Sequence, residues 1–448
     1  MLSLFTRSFS TNSKKYLEAF CNDLALRGLV DTAYPNTILT DETLKKIPDV
    51  VYAGFDPTAE SLHVGNLVIL SSLLRGSAHG LKTFALVGGA TALIGDPSGK
   101  TNDRTELAKD IVNENANKIQ SDILQLIQNA QEYLGKELDC TVVNNIEWYR
   151  DMTMIDFLRL SRSFRVGPML RMGHIKNRMK DNGEGLTFTE FSYQILQSHD
   201  WYLLAQKHGC FFQLGGSDQL GHLDIGAHYV KAKLNKQAAG ICLPLITDGA
   251  GAKIGKSTSN KGDSIWLSSA LTSPYTFYQY FRQLHDDTAE KLLPYFSMKS
   301  VEEIKDLLKD HKENLGKWIA QTALAEELTA IVHGSKGLKV AQQCSNVLFN
   351  GSLEDFRQLN IDTILSLFGE ASTFSISRPN CSTYGELADF VRKDRIRGSE
   401  LMTKGAFYVN GIRRDKPNER IDFDSIVLAH NVSLICWGKR KFSLVRWL

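Results

Sequence analysis

The 448-residue sequence has few cysteines, and their arrangement does not indicate a metal site or a disulfide framework. Its seven cysteines are scattered over positions 21, 140, 210, 242, 344, 381 and 436, and no two of them form a Cys-x-x-Cys pair. Structural zinc sites and small disulfide-rich folds both require closely spaced or paired cysteines. The pattern indicates neither class and fits a reducing compartment.

The sequence also lacks long apolar runs, internal repeats and low-complexity tracts. No run approaches the roughly 18 apolar residues that a transmembrane helix requires, so no membrane partner is expected. The hydrophobic content of 43% and the charged content of 23% are ordinary for a globular protein. A chain of this length is long for a single core, and we expect two or three domains.

Charge is distributed unevenly along the chain. The net charge is +2, but residues 371–448 contain 14 Lys and Arg against 8 Asp and Glu, a local +6 that leaves −4 for the remainder. A basic C-terminal end on a mildly acidic body indicates a nucleic-acid partner. A well-solvated basic tail is the alternative.

The N-terminal residues have the composition of a targeting segment. MLSLFTRSFSTNSKKYL contains Arg7, Lys14 and Lys15, six serines and threonines, and no acidic residue before Glu18. This composition predicts a mitochondrial transit peptide over residues 1–15, and therefore a location in the mitochondrial matrix. An uncleaved tail is the alternative.

Apolar runs typical of strands alternate with helical patterns through the first 271 residues. The runs are residues 50–55, 83–88, 140–144, 210–214 and 241–246. This alternation predicts an α/β fold for residues 16–271, with a Rossmann-like, doubly wound parallel sheet and helices on both of its faces. Ligands of such sheets bind outside the carboxyl ends of the strands.

The strand signals stop at Thr272. Residues 272–350 have a helical pattern throughout and predict an α-helical domain, and residues 351–380 have the composition of a linker. Residues 381–448 predict a small α+β module with two short helices and then a strand that ends in a turn at Asn410-Gly411.

Residues 50–66, VVYAGFDPTAESLHVGN, read as a strand, a turn and the start of a helix. Such a junction directs unpaired backbone N–H groups and the positive end of the helix dipole towards a phosphate. His63 can donate a hydrogen bond to an oxyanion, and Gly65 lets a flat ligand lie against the backbone. A surface histidine before a helix is the plainer interpretation of this stretch alone.

A second loop, VGGATALIGDPSGKTNDR at residues 87–104, combines glycines with charged side chains. Asp96 can hold an amino group, while Lys100 and Arg104 can neutralise the charge on a leaving phosphate. The loop is not a Walker motif, because too few residues separate its last two glycines. Its glycines can also be purely structural.

A helix that starts after Thr187 has a polar stripe. Thr187 and Glu190 form a capping-box signature, and Tyr193, Gln197 and Asp200 follow at i, i+4 and i+7, which places them in one line on one face. Apolar neighbours indicate that the helix is largely buried, and a polar stripe on a buried helix needs a ligand or partners. A solvent-facing stripe is the alternative.

Two further stretches are rich in glycine or serine. QLGGSDQLGH, residues 213–222, allows close approach to its backbone, and its Asp218 can accept a hydrogen bond from a ribose hydroxyl. AKIGKSTSN, residues 252–260, has Lys253 and Lys256 on either side of a glycine, which suits a cationic clamp that closes on a polyphosphate. A basic surface loop is the alternative for the second stretch.

Together these stretches resemble the class I aminoacyl-tRNA synthetases. Residues 63–66 (His-Val-Gly-Asn) stand where that class has a His-x-Gly-His type motif, and residues 253–257 (Lys-Ile-Gly-Lys-Ser) where it has a Lys-Met-Ser-Lys-Ser type motif. YAGFDPTAESLHVGN, LVGGATALIGDPSGK, FTEFSYQILQSHD, GGSDQ and TSPYTFYQYF are similar to tyrosyl-tRNA synthetases of the bacterial and mitochondrial type, over roughly residues 16–350. The module from about Thr383 is similar to the S4-type RNA-binding domain of that family.

The resemblance implies a tyrosine–tRNA ligase that serves organellar translation. It would activate L-tyrosine with ATP to give tyrosyl-adenylate and pyrophosphate, then transfer the tyrosyl group to the 3′ end of tRNA-Tyr. ATP with Mg²⁺ would be a substrate, with no protein-bound metal site, and the protein would be a homodimer. The substrate carboxylate attacks the α-phosphate, so the protein needs no nucleophile and acts by alignment and charge neutralisation.

The resemblance also implies roles for individual residues. The tyrosine-binding residues are Tyr52 and Asp200 at the phenol, Asp96, Tyr193 and Gln197 at the α-amino group, and Gln219 near the carboxylate. The ATP-binding residues are Gly54, Asp56, His63, Gly65, Asp218, Lys253, Lys256 and Ser257. The catalytic residues, which contact the ATP phosphates and ribose or stabilise the departing pyrophosphate, are Thr58, His63, Asn66, Lys100, Arg104, Lys253 and Lys256.

The sequence departs from the family pattern at four positions. Asn66 replaces the second histidine of the first signature and can still donate through its amide. Leu220 and His222 stand where the family often has Trp and Asn, and Ile254 where it has Phe or Met. These departures affect the shape of the nucleotide pocket rather than the reaction.

Three other functions fit parts of the sequence. A tryptophanyl-tRNA synthetase shares the scaffold, but the polar pair Tyr52 and Asp200 favours a phenol over an indole. An RNA-binding or splicing protein derived from a synthetase would not need His63 or Lys253. Another adenylylating enzyme would leave the helical and basic C-terminal regions without an evident purpose.

Overall fold

The computed structural model describes residues 16–40, 42–98, 107–180, 185–246, 264–349, 361–368, 372–392, 397–438 and 441–448. The predicted transit peptide, residues 1–15, lies outside them. Over these ranges, no helix combines the length and the apolar composition that crossing a membrane requires.

A six-stranded sheet forms the N-terminal part of the molecule, with the strand order β1-β6-β5-β2-β3-β4. Strands β2 to β6 are parallel to their neighbours, and β1 pairs antiparallel with β6 at one edge. The strands are β1 (Thr32–Tyr34), β2 (Val50–Phe55), β3 (Lys82–Val87), β4 (Cys140–Asn144), β5 (Phe212–Gly216) and β6 (Ala239–Leu243). The predicted parallel α/β sheet is confirmed, whereas the short edge strand β1 was not predicted.

Ten helices connect and cover these strands. They are α1 (Tyr16–Leu26), α2 (Val64–Ala78), α3 (Thr91–Ile94), α4 (Lys109–Leu134), α5 (Ile146–Tyr149), α6 (Met154–Ser161), α7 (Val166–Leu170), α8 (Gly173–Lys180), α9 (Phe188–His208) and α10 (Leu220–Leu234). Because helices cover both faces of the sheet, its strands read as continuous apolar runs: all five residues of β6 are buried.

Residues 274–349 are helical, as the sequence predicts. The helices are α11 (Pro274–Arg282), α12 (Asp286–Phe296), α13 (Val301–Glu313) and α14 (Ile319–Phe349). Their buried side chains, including Phe281 and Leu328, belong to the same hydrophobic cluster as Leu70 of α2. The helical region therefore shares a core with the α/β region, instead of having a core of its own.

The C-terminal part contains a second sheet of five strands, in the order β7-β11-β10-β8-β9. The elements are α15 (Ile361–Phe368), β7 (Thr373–Ile376), α16 (Tyr384–Val391), α17 (Gly398–Met402), β8 (Phe407–Val409), β9 (Ile412–Arg413), α18 (Phe423–Ile426), β10 (Val432–Trp437) and β11 (Lys441–Trp447). The two predicted short helices are present, and Asn410 and Gly411 have φ angles of 49° and 79°, as a tight hairpin turn requires.

The stretch predicted to be a linker is partly structured. It contains α15 and also β7, which pairs parallel with β11 and so belongs to the C-terminal sheet. Tyr275 of α11, Phe368 of α15 and Leu444 of β11 share one buried cluster. This cluster packs the C-terminal sheet against the helical region.

Candidate active site

A cavity of about 430 Å³ lies at the carboxyl ends of β2 and β5. The loops after β2, β3, β5 and β6, one face of α9, and the residues Ser264 and Trp266 line it. It brings together predicted site residues that are far apart in the sequence. Those that line it are Gly54, Asp56, Thr58, His63, Gly65, Asn66, Asp96, Tyr193, Gln197, Asp218 and Gln219.

The loop between β2 and α2 supplies the side chains at the helix start. His63 is the N-cap residue of α2, and its backbone N–H donates to Asn66 Oδ1 at 3.1 Å. This bond leaves Nδ2 as the end of the Asn66 amide that can donate to a ligand. The N-terminus of a 15-residue helix therefore faces the cavity, with its dipole suited to a phosphate.

Asp56 joins this loop to two other elements. Its Oδ2 accepts from the Tyr193 hydroxyl at 2.9 Å, and its Oδ1 accepts from Thr91 Oγ1 at 2.7 Å. Burial, with the Asp56 charge as the next contribution, raises the pKa of Tyr193 well above its usual value. A Cβ on Gly88 would lie 2.0 Å from Asp56 Oδ1, so a glycine is required where β3 ends.

A network of hydrogen bonds surrounds Asp96. Oδ1 accepts from the Ser98 backbone N–H at 2.7 Å and lies 3.2 Å from His222 Nε2, and Oδ2 accepts from Gln219 Nε2 at 2.9 Å. Gln197 Nε2 donates in turn to Gln219 Oε1 at 3.1 Å.

This network lowers the pKa of Asp96. Burial raises the pKa of the carboxyl, but the hydrogen bond and the charge interaction with His222, together with those from Ser98 and Gln219, outweigh burial and hold the pKa well below its usual range. Asp96 therefore lines the cavity as an ionised carboxylate, which can bind an ammonium group.

Asp200 is 1% exposed and lies one turn beyond Gln197 on α9. Its Oδ1 accepts from Trp148 Nε1 at 2.8 Å and from the Tyr149 hydroxyl at 2.7 Å, and its Oδ2 accepts from Asn145 Nδ2 at 3.0 Å. Burial raises the pKa of Asp200 to about 7, although these hydrogen bonds act in the opposite direction. Oδ2, with one protein donor, has the larger remaining capacity to accept.

Tyr52 is also 1% exposed, and its hydroxyl donates to Gln213 Oε1 at 2.7 Å. Gln213 lines the cavity, while Tyr52 and Asp200 are absent from its lining among the described residues. Burial, and after it the charges of Cys210 and Asp200, raise the pKa of Tyr52 well above its usual value. Tyr52 is therefore joined to the cavity through Gln213.

Several groups around the site were missed in the sequence. Asn145, Trp148 and Tyr149 follow β4, so the rule that ligands bind beyond the carboxyl ends of parallel strands could have found them. Gln213 lies within the stretch of residues 213–222, but the sequence indicates no role for it. His222 stands out in the sequence only as a departure from the family pattern.

Five predicted residues, Lys100, Arg104, Lys253, Lys256 and Ser257, lie outside the described residues. The chain that follows the last of them is held at the site. Ile265 O accepts from the Val64 backbone N–H at 2.9 Å, and Trp266 forms a bridge with His63. Both Ser264 and Trp266 line the cavity.

The site thus offers three kinds of recognition within one region. An ionised carboxylate suits an ammonium, a helix N-terminus suits a phosphate, and a buried pair of polar groups suits a hydroxyl. A ligand that carries an amino group and a hydroxyl would lie beside one that carries phosphates.

Comparison with known proteins gives a family match over most of the chain. The family model described as "tRNA synthetases class I (W and Y)" matches residues 45–350. The chain is 35% identical over 441 residues to the mitochondrial tyrosine–tRNA ligase of Drosophila melanogaster, covering 95% of this chain and 94% of that protein. It is 36% identical over 427 residues to the tyrosine–tRNA ligase of Lactococcus lactis subsp. cremoris strain SK11, covering 94% and 98%.

A solved structure is similar as well. The crystal structure of a C-terminally truncated mitochondrial tyrosyl-tRNA synthetase from Aspergillus nidulans has a TM-score of 0.66 and 29% sequence identity to this chain. The similarity covers 74% of this chain and 94% of that one.

Proposed function

The chain belongs to the tyrosyl-tRNA synthetases of class I, and we propose that it activates L-tyrosine with ATP and then transfers the tyrosyl group to the 3′ end of tRNA-Tyr. It is an aminoacyl-tRNA ligase. The observation that carries the substrate assignment is the position of the Asp96 carboxyl in the cavity lining, together with the buried Tyr52, whose hydroxyl bonds the lining residue Gln213, and the buried Asp200. Tyrosine-dependent exchange of pyrophosphate into ATP tests the first step.

The phenol of tyrosine would lie between Tyr52 and Asp200. Because the Tyr52 hydroxyl donates to Gln213, its oxygen is an acceptor towards a ligand, and Asp200 Oδ2 is a second acceptor, so either can take the single proton of the substrate phenol. A phenylalanine ring offers no proton and would leave this remaining acceptor capacity unused, which disfavours its binding. An indole carries its N–H at a different position from the phenol oxygen.

The α-amino group would bind at Asp96, Tyr193 and Gln197. The Tyr193 hydroxyl commits its proton to Asp56, so its oxygen can accept from an ammonium. Gln197 is oriented by the bond from its Nε2 to Gln219, which leaves its Oε1 as an acceptor. Three acceptors match the three hydrogens of an ammonium group.

ATP would lie across the N-terminus of α2. Thr58, His63 and Asn66 would contact its phosphates and ribose, Gly54 and Gly65 allow it to approach the backbone, and the nearby carboxylates of Asp56 and Asp218 can accept from ribose hydroxyls. All of these residues line the same cavity. ATP enters as its magnesium complex, so Mg²⁺ is part of the substrate.

The chemistry is a displacement at phosphorus. A carboxylate oxygen of tyrosine attacks the α-phosphorus, the bond to the bridging oxygen breaks, and pyrophosphate leaves. The 3′-terminal ribose hydroxyl of the tRNA then attacks the acyl carbon, and AMP leaves. Lys100, Arg104, Lys253 and Lys256 would stabilise the charge on the departing pyrophosphate.

We also propose that the protein is a homodimer. Apolar side chains on α6 and α7, which follow one another in the chain, are exposed: Met154 is 73% exposed, Ile155 58%, Leu158 52%, Val166 59% and Leu170 41%. Exposed apolar surface of this kind marks interaction sites, and a second copy would cover these side chains.

The tRNA partner and the cellular location belong to the same proposal. The basic C-terminal module and the helices α11 to α14 would bind tRNA-Tyr, because a net charge of +6 over residues 371–448 suits a phosphate backbone. Mitochondrial relatives and the composition of residues 1–15 support a mitochondrial location, and we place the protein in the matrix.

A further inference from the structure

His222 contacts the carboxylate that the proposed function assigns to the amino group of tyrosine. It lies in the first turn of α10, its side chain is fully buried, and its Nε2 is 3.2 Å from Asp96 Oδ1. An ionised carboxylate can only accept, so Nε2 carries the proton in this hydrogen bond. His222 itself is not among the described residues that line the cavity.

The contacts of Asp96 divide between its two oxygens. Oδ2 accepts from Gln219, a side chain that faces the cavity, whereas Oδ1 accepts from His222, which does not line it, and from the backbone N–H of Ser98, which does. A ring-to-ring distance of 5.5 Å also places His222 beside Tyr193, a second member of the amino-group site.

We infer that His222 is a positioning residue for the amino-acid substrate, which fixes Asp96 in the orientation that binds the α-ammonium group. This inference rests on the proposed function and adds a residue that the family pattern does not supply, since that position often holds an asparagine. His222 acts through Asp96 and does not touch the substrate.

The geometry gives this role a physical basis. A buried carboxylate that binds an ammonium must remain ionised and must not rotate, because a shift of its oxygens weakens the charge-assisted hydrogen bond. A neutral, non-donating side chain at position 222 would remove the His222 donor to Oδ1 and leave that of the Ser98 backbone N–H. Tyrosine binding would weaken, while the ATP groups on α2 would be unaffected.

The test compares donor and non-donor side chains in the full-length protein. His222→Met removes the donor, and His222→Phe removes it while keeping a ring beside Tyr193, so that one can replace the other if either fails to fold. His222→Gln and His222→Asn keep an N–H donor.

In pyrophosphate exchange, we expect the non-donor variants to raise the KM for tyrosine roughly 10- to 100-fold, as for loss of a hydrogen bond to a charged group. The kcat and the KM for ATP should stay within about threefold of the unsubstituted protein, and at least one donor variant should restore the KM.

Binding of tyrosine analogues separates this role from a general structural one. Tyrosinol keeps the amino group and the phenol, whereas 3-(4-hydroxyphenyl)propionate lacks the amino group. We expect the non-donor variants to weaken the binding of tyrosine and tyrosinol, measured by calorimetry, and to leave that of the propionate unchanged. Equal weakening of all three, or no weakening of any, would overturn the inference. Failure of the unsubstituted protein to catalyse tyrosine-dependent exchange would instead refute the proposed function.

Discussion

The Tyr193 hydroxyl donates to Asp56 Oδ2 across 2.9 Å, and this hydrogen bond joins helix α9 to the loop that follows β2. Helix α9 carries the groups proposed to bind tyrosine, and the loop leads to the groups proposed to bind ATP. The stretch from Val50 to Asn66 therefore contributes to both halves of the site, with Tyr52 at one end and the start of α2 at the other.

Substitution of Asp200 should reduce selectivity for tyrosine. Asp200→Asn replaces a carboxylate that accepts from Asn145, Trp148 and Tyr149, so the phenol loses an anionic acceptor and one of the two acceptor oxygens becomes an NH2 donor that cannot accept. We expect the ratio of kcat/KM for tyrosine over phenylalanine to fall at least roughly tenfold in pyrophosphate exchange. Asp224→Asn, on the surface of α10, is the control. An unchanged ratio would remove Asp200 from the phenol site.

A buried charge cluster should make stability depend on pH. Asp23 accepts from Arg27 Nε at 2.7 Å, and Arg75 Nε and His79 Nε2 lie 3.8 and 3.7 Å from the same oxygen. Burial raises the pKa of Asp23, but the hydrogen bonds with His79 and Arg27 and the charges of Arg27 and Arg75 lower it to a net value of about 2.

The sign of the pH effect follows from that lowered pKa. A carboxyl that ionises more easily in the folded chain contributes stability above its unfolded pKa of about 4, and loses it as the pH falls towards 2. We expect Asp23→Asn to lower the free energy of unfolding by about 2 kcal/mol at pH 6, and by about half of that at pH 3. Urea unfolding measures both values, with Asp31→Asn as an exposed control. If Asp23→Asn lowered the free energy of unfolding by the same amount at pH 6 and at pH 3, the result would contradict this account.

Charge reversal in the C-terminal module should impair aminoacylation of tRNA without impairing the activation of tyrosine. Lys404 and Arg413 are exposed, and a Cβ on Gly405 would lie 2.2 Å from Arg413 Nη2, which places the Arg413 guanidinium beside the residue that follows Lys404. The double variant Lys404→Glu, Arg413→Glu should lower kcat/KM for tRNA at least roughly tenfold and weaken its salt dependence, with pyrophosphate exchange unchanged. Lys45→Glu serves as the control. Equal loss of aminoacylation and of pyrophosphate exchange would contradict the proposal that the C-terminal module serves tRNA binding alone.

The apolar patch on α6 and α7 should control assembly. Leu158 is 52% exposed, and an aspartate there would bury a charge in a dimer interface at high cost. We expect light scattering to show a dimer for the unsubstituted protein and a monomer for Leu158→Asp. Leu124→Asp, at a similarly exposed position on α4, should remain dimeric. A monomeric unsubstituted protein would refute the homodimer.

The parallel sheet could be predicted from the sequence because strands buried on both faces are continuous apolar runs. The predicted boundaries are correct for β2 and β4, whereas those of β3 are displaced by one residue, those of β5 by two, and those of β6 by two at its start and three at its end. Hydrogen bonds to neighbouring strands determine where each strand ends. The three-residue strand β1 is too short to show a period. Its pairing with β6 depends on a tertiary contact.

The candidate site was predictable where helical spacing alone aligns its residues, as for Tyr193, Gln197 and Asp200 on α9. The groups that hold these residues were not predictable. His222 and Asp96 are 126 positions apart, and Tyr52 and Gln213 are 161 apart. Such pairs form only when the sheet brings different strand ends together, so their partners cannot be read from local patterns.

Tyrosine-dependent exchange of labelled pyrophosphate into ATP tests the central claim most directly, because it requires binding of both substrates and reversal of the proposed displacement. With the full-length protein we expect rapid exchange with L-tyrosine, and exchange at least roughly tenfold slower with L-phenylalanine or L-tryptophan at equal concentration. Absence of exchange with tyrosine, or faster exchange with tryptophan, would contradict the account.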